Sequence, residues 1–144
     1  MKTIFEELRE DHDLQRELLD MLLATEGNSE ARQKIFPELK DQLKAHAKYE
    51  ERALYKPMFA NDNTQPKARH SIAEHKEIDD FIEELENTDF SSPSWLVIAK
   101  KLDHKVRHHL EEEEKEIFVS AGIAFSQTQK KAQGQEYREG MEQS

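Results

Sequence analysis

The chain has 144 residues, a length that suits a single domain, and its 35% hydrophobic and 36% charged residues with only four glycines and four prolines favour long amphipathic helices over a sheet. Its 31 acidic against 21 basic side chains give a formal net charge of −10, no basic stripe runs along any segment, and phosphate backbones are therefore repelled, which excludes nucleic acid as a partner. There is no cysteine, so disulfides and thiolate metal sites are excluded and any metal must be held by nitrogen and oxygen ligands.

The first residues, Met1 to Glu7, carry charges where a signal peptide needs an apolar core. No window approaches the apolar run of about 18 residues that a membrane span requires. No membrane partner and a cytoplasmic location are expected.

A first helix is predicted from Thr3 to Ala24, with Ile4, Phe5, Leu8, His12, Gln15, Leu19 and Leu22 recurring at steps of three and four. Gly27-Asn28-Ser29 makes a turn, and Ser29 can cap a second helix whose one face carries Ile35, Phe36, Leu39, Leu43, His46, Glu50, Ala53 and Leu54. Pro37 predicts a kink in this helix or a boundary at Phe36. Asn61 to Pro66 reads as a loop, and Pro66 suits the first turn of a third helix with Ala68, Ile72, His75, Ile78, Ile82 and Leu85, ending near Asn87. Ser91-Ser92-Pro93 opens a fourth helix whose apolar line runs through Ile98, Leu102, Val106, His109, Glu113 and Ile117 and stops at Gly122. Four helices of similar length with short connections define an all-α, antiparallel up-down four-helix bundle over residues 1–122. Residues 123–144 contain Gly134 and Gly140 and few apolar side chains, and read as a tail that is either a short fifth helix capped by Ser126 or partly disordered.

Two of the helical stripes carry the same pair, His46-x-x-x-Glu50 and His109-x-x-x-Glu113, while His12 and His75 lie one on each remaining stripe. Residues four apart share a helix face, so each pair presents an imidazole and a carboxylate in one direction. A lone histidine on an apolar face is commonly a hydrogen-bonded core residue. Four such histidines, one per helix, with two carboxylates one turn later, point instead to metal ligation, because buried unpaired carboxylates are expensive unless they meet a cation. Facing separates neighbours: His108 and Glu112 share the spacing but lie on a line with Lys101, His104 and Lys115, a solvated face. Glu111, Glu112 and Glu114 read as exposed surface, Glu51 as surface or as a partner behind a ligand, and His70 as pointing away from His75. Glu50-Glu51-Arg52-Ala53-Leu54-Tyr55 also echoes Glu113-Glu114-Lys115-Glu116-Ile117-Phe118, which places the second and fourth helices in equivalent parts. Four imidazoles and two carboxylates able to bridge suit a pair of iron or manganese ions better than a closed zinc tetrahedron, with iron the first choice.

Over residues 1 to 120 the sequence resembles the hemerythrin-like family, the HHE cation-binding domains, on Glu10-Asp11-His12-Asp13, His46 to Glu51, Glu74-His75 and His109 to Glu114. The resemblance implies two non-haem iron ions (Fe2+/Fe3+), with an oxo or hydroxo bridge between them as an option. By the same resemblance His12 and His46 would bind one ion, His75 and His109 the other, and Glu50 and Glu113 would bridge the pair. The oxygen-carrying members place a second histidine one turn from the one matching His75. Here those positions are Ser71 and Asp79, so the chain is similar to a four-histidine branch, in which Asp79 could fill the vacancy.

The function this implies is binding of, or reaction with, a small oxidant: dioxygen, nitric oxide or peroxide. The alternatives are a peroxide- or nitric-oxide-consuming or iron–sulfur repair enzyme, and an iron storage or sensing bundle with a partner-binding role. With no cysteine and no flavin or nicotinamide motif, electrons for turnover would come from a redox partner protein.

Overall fold

The computed structural model describes residues 1–144, and all of its regular structure is helical. Helix α1 spans Ile4–Leu23, and Thr3 opens it with a capping box in which Thr3 and Glu6 satisfy each other's backbone N–H. Gly27, with φ of 51°, makes the turn into α2, Glu30–Glu50, capped by the Ser29 hydroxyl. Helix α2 continues through a π-helical turn, Glu51–Tyr55, and a last turn, Lys56–Met58. Helix α3 spans Gln65–Glu86, and α4 spans Pro93–Glu112, with Ser92 as its cap. A second π-helical turn, Glu113–Ile117, carries α4 on through Phe118–Ala124. Helix α5 spans Gln127–Gln143 behind a capping box of Ser126 and Gln129.

Two expectations are corrected, and a third, left between two readings, is decided. Helix α2 does not end at Phe36: it runs unbroken through Pro37, which lies on the exposed side, where water can serve the Gln33 carbonyl that the ring leaves without a donor. Gly122 does not stop α4, which continues to Ala124 before the chain turns extended at Phe125. Of the two readings of the C-terminal segment the fifth helix holds: it is a 17-residue helix, capped by Ser126, laid across α1 and α2. Its two glycines explain that packing. A Cβ on Gly134 would stand 2.7 Å from the Lys2 carbonyl oxygen, and one on Gly140 would stand 2.3 Å from the Tyr49 ring. The low apolar content that suggested a tail is the composition of a helix that buries two glycines, Gln133 and one tyrosine, Tyr137.

The apolar side chains form two separate clusters along the bundle. One holds Leu19, Leu22, Leu39, Ile82, Trp95 and Leu102 among others, and the second holds Ile4, Leu8, Ala53, Leu54, Met58 and Tyr137. Between Leu8 and Leu19 lies His12, between Leu43 and Ala53 lie His46 and Glu50, between Ala68 and Ile78 lies His75, and between Val106 and Ile117 lie His109 and Glu113. The periodic stripes therefore interrupt their apolar run at the same level on four helices, leaving one polar layer capped above and below by hydrocarbon.

Candidate metal centre

The structure brings His12, His46, Glu50, His75, His109 and Glu113 together in this layer, each no more than 5% exposed. The ligand atoms of His12, His46, Glu50 and Glu113 lie within 4.8 Å of one another, as do those of Glu50, His75 and His109. Glu50 thus belongs to both groups. Glu113 reaches both histidine pairs as well, with Oε1 3.1 Å from His12 Nε2 and Oε2 3.6 Å from His109 Nε2.

Each imidazole is held from behind through Nδ1. His12 Nδ1 donates to Glu114 at 2.7 Å, His75 Nδ1 to Glu51 at 2.9 Å and His109 Nδ1 to Glu74 at 2.8 Å. His46 differs: its Nδ1 lies 2.7 Å from the Tyr137 hydroxyl, which donates its own hydrogen to Asp11 and so accepts from the ring. Arg138 holds the other oxygen of Asp11 at 3.2 Å. Anchoring Nδ1–H in this way fixes the tautomer and turns Nε2, with its lone pair, toward the centre.

The inward atoms lack partners. The Nε2 atoms of all four histidines, Glu50 Oε2 and Glu113 Oε1 are buried without a hydrogen bond. Lone pairs facing lone pairs repel, so the layer needs positive charge, either as protons or as cations. Without metal, protons are drawn to His12 and His75. Burial opposes protonation of His12, but the nearby Glu113 carboxyl and the bond to Glu114 outweigh this and hold its pKa up to about 9. Burial likewise opposes protonation of His75, and Glu50 and Glu51 raise it to about 10. The two central carboxyls split: burial and the charge of Glu50 push Glu113 up, whereas the imidazoles around Glu50 hold it down against burial. Burial would raise Glu74 and Glu114 too, but His109 and His12 respectively bring each down to about 2. Six convergent, buried, unpaired nitrogen and oxygen atoms thus fit a metal cation, and the donor set is of the borderline to hard kind.

Tyr55 completes the layer. It is fully buried, its ring centroid lies 5.6 Å from that of His75, and its hydroxyl donates to Glu50 Oε1 at 3.0 Å while also touching Glu113. One phenolic hydrogen cannot serve both carboxyls, and the raised Glu113 is the one able to return a proton to Tyr55 Oη. Tyr55 stands where Phe118 stands in the second half of the echo, and Phe118 stacks on His12 as Tyr55 leans on His75. One π-helical turn begins at Glu51, directly after Glu50, and the other begins at Glu113 itself, so the echo is structural as well. Such turns insert one extra residue and re-aim side chains, and they concentrate at functional sites.

Sequence reasoning missed Tyr55, although its place opposite Phe118 in the echo was a signal. Tyr137 and Asp11 as a pair had no signal, because 126 positions separate them. Glu114 is not the plain surface residue expected, being the partner of His12 and of Arg16 at 2.9 Å. Asp79 does not join either group of ligand atoms: it is half-exposed and lies 4.0 Å from Lys44. The expectation of no basic stripe is also corrected. Lys44, Lys48, Arg52 and Lys56, each four residues from the next, line one open cleft of about 530 Å³. Interleaved acidic residues hide that line in the sequence, and the helix gathers it on one face. Ala47 and Asp79 form the border between this cleft and a void of about 10 Å³ against His46, His75 and His109.

The chain belongs to the hemerythrin family, whose family model, described as the hemerythrin HHE cation binding domain, matches residues 3–120. A hemerythrin HHE cation binding domain-containing protein from Mycobacterium kansasii, known from its crystal structure, is 24% identical and superposes with a TM-score of 0.89 over 99% of this chain and 87% of its own. That likeness establishes the fold, including the fifth helix. No curated protein matches the sequence. No helix is long and apolar enough to cross a membrane.

Proposed function

We propose that the protein is a non-haem di-iron protein whose centre binds or reacts with a small oxidant, namely dioxygen, nitric oxide or peroxide. The observation that carries this reading is the set of six buried, partnerless atoms, four Nε2 and two carboxylate oxygens, converging from four helices. His12 and His46 would hold one ion, His75 and His109 the other, and Glu50 and Glu113 would join them. Bound ferrous iron would supply an open coordination position and an electron from each ion.

The rest of the chemistry belongs to the chain. Glu114, Glu51 and Glu74 put negative charge behind His12, His75 and His109, which makes each ring a stronger donor and favours the more oxidised metal. The Tyr137 hydroxyl does the same for His46 with its charge relayed from Asp11. Leu43, Ile78 and Val106 wall the small void, which has room for about one water-sized molecule, so bulk water is kept from the centre. Tyr55 Oη holds a proton beside both carboxyls, where an anion formed from the oxidant would need one. That proton favours a second reading, turnover of peroxide or nitric oxide, with electrons from a partner protein.

Elemental analysis of protein from iron-supplemented cells tests the proposal, with absorption spectra before and after anaerobic reduction. About two irons per chain and a near-ultraviolet band lost on reduction are expected. Zinc alone, or no metal after reconstitution, would sink it. Peroxide or nitric oxide consumption no faster than by free iron would remove the turnover reading and leave binding.

A further inference from the structure

Outside the buried layer, a second set of metal-ligating side chains converges on the surface between α3 and α4. His70 and Glu74 are one turn apart on α3, and His108 and Glu112 are one turn apart on α4. His70 Nε2 lies 2.6 Å from Glu112 Oε1 and 3.5 Å from Glu74 Oε1, and His108 Nε2 lies 3.3 Å from Glu112 Oε2. The ligand atoms of His70, Glu74 and Glu112 fall within 4.8 Å of one another, a span that one ion can bridge.

We propose that His70, Glu74 and Glu112, joined by His108 when its exposed side chain turns in beside Glu112, form a separate, solvent-facing site for a single borderline divalent cation such as Zn2+ or Co2+. Two imidazoles and two carboxylates are the donors such ions take, and soft ions lack the thiolates they prefer. Ordinary surface ion pairing accounts for each pair on its own helix. It does not account for the convergence of both pairs on Glu112, since exposed pairs of this kind contribute little to stability and hold their side chains loosely.

Glu74 gives the site a fixed floor. It is only 3% exposed, Lys105 sits 3.3 Å from its Oε2, and its Oε1 accepts from His109 Nδ1 while facing His70. One carboxylate is therefore shared between the surface site and the anchor of a histidine in the buried centre. The site stands on its own residues, so it does not rest on the di-iron reading. The rim carries excess negative charge, with Glu111 and Glu116 beside Lys115, which concentrates divalent cations there.

Zn2+ titration of the metal-free protein by calorimetry, comparing wild type with His70→Ala/His108→Ala, tests the proposal. Both histidines are more than half exposed, so the double variant should unfold at the wild-type temperature. The variant is expected to bind one Zn2+ fewer than wild type, and His104→Ala, an exposed histidine of α4 outside the cluster, to bind as many as wild type. Equal stoichiometry in wild type and the double variant would overturn the site. So would an equal loss in His104→Ala, which would show scattered surface binding. Because the result is read as a difference between chains with the same buried layer, it stands whether or not that layer takes metal.

Discussion

Replacing Tyr137 by phenylalanine removes one oxygen and leaves the ring packed, so it isolates what the fifth helix does for the metal layer. The hydroxyl lies 2.7 Å from His46 Nδ1 and donates to Asp11, and both residues are buried, at 3% and 5% exposure. Asp11 keeps Arg138 at 3.2 Å, whereas His46 Nδ1 has no other partner. The loss is then one bond to a charged group, worth about 1.5–3 kcal/mol, and one orphaned ring N–H, costing about 1–3 kcal/mol. With partial overlap between the two, about 2–4 kcal/mol is expected. At about 4 °C per kcal/mol for a domain of this length, the metal-free protein should melt roughly 8–16 °C lower. Metal affinity should fall on the order of 10–100-fold, as for other partners behind ligating histidines. Scanning calorimetry of the metal-free protein and competition against a chelator read the two effects separately. A variant with wild-type melting and wild-type metal affinity would refute the reasoning, since it would mean that the His46 ring needs no anchor.

The remaining predictions concern charge and packing in the same layer. Glu113→Ala should lose metal from the centre, whereas Glu112→Ala should keep it, as read by the reducible near-ultraviolet band of the iron-loaded protein; equal loss of that band would mean that the facing assignment on α4 is wrong. Gly134→Ala drives a methyl to 2.7 Å from the Lys2 carbonyl, which is backbone and yields little. Overpacking of about 1–3 kcal/mol should outweigh roughly 1 kcal/mol of helix propensity, so the melting temperature should drop; a rise would show that α5 sits loosely. In the metal-free protein Glu74 and Glu114 are lowered to about 2 from 4.5, so their stabilisation is present above pH 4.5 and is lost as pH falls toward 2. His12 and His75 are raised to about 9 and about 10 from 6.5, so theirs is full below pH 6.5 and is lost as pH rises through 9 to 10. Thermal melts against pH should therefore peak between these limits, and stability still climbing from pH 7 to 10 would contradict the charge assignment. Since ligation needs bare Nε2, Zn2+ binding to the centre at pH 7 should release protons, visible as a buffer-dependent heat in calorimetry; identical heats in buffers of different ionisation enthalpy would count against protonated rings.

The helices and the candidate ligands were legible because both follow local rules. An amphipathic stripe at steps of three and four declares which side faces inward, and His12, His46, Glu50, His75, His109 and Glu113 stand on those stripes. The caps at Thr3, Ser29, Ser92 and Ser126 obey the same short-range logic of satisfying free N–H groups. The echo around Glu50 and Glu113 was readable too, though not that each half winds into a π-helical turn.

Tertiary structure decided what stands behind the ligands. Glu114 was assigned to the surface from its helix face alone, yet α1 packs against that face and His12 meets it. The two glycines of α5 read as marks of a tail, because a sequence displays apolar content and not the fit of one backbone against another. Periodicity runs along a single helix and is written in neighbouring residues. Hydrogen bonds such as those joining Tyr137 to Asp11 and His46, or His109 to Glu74, depend on which helices lie side by side and at what height, and that is set only when the whole bundle has packed.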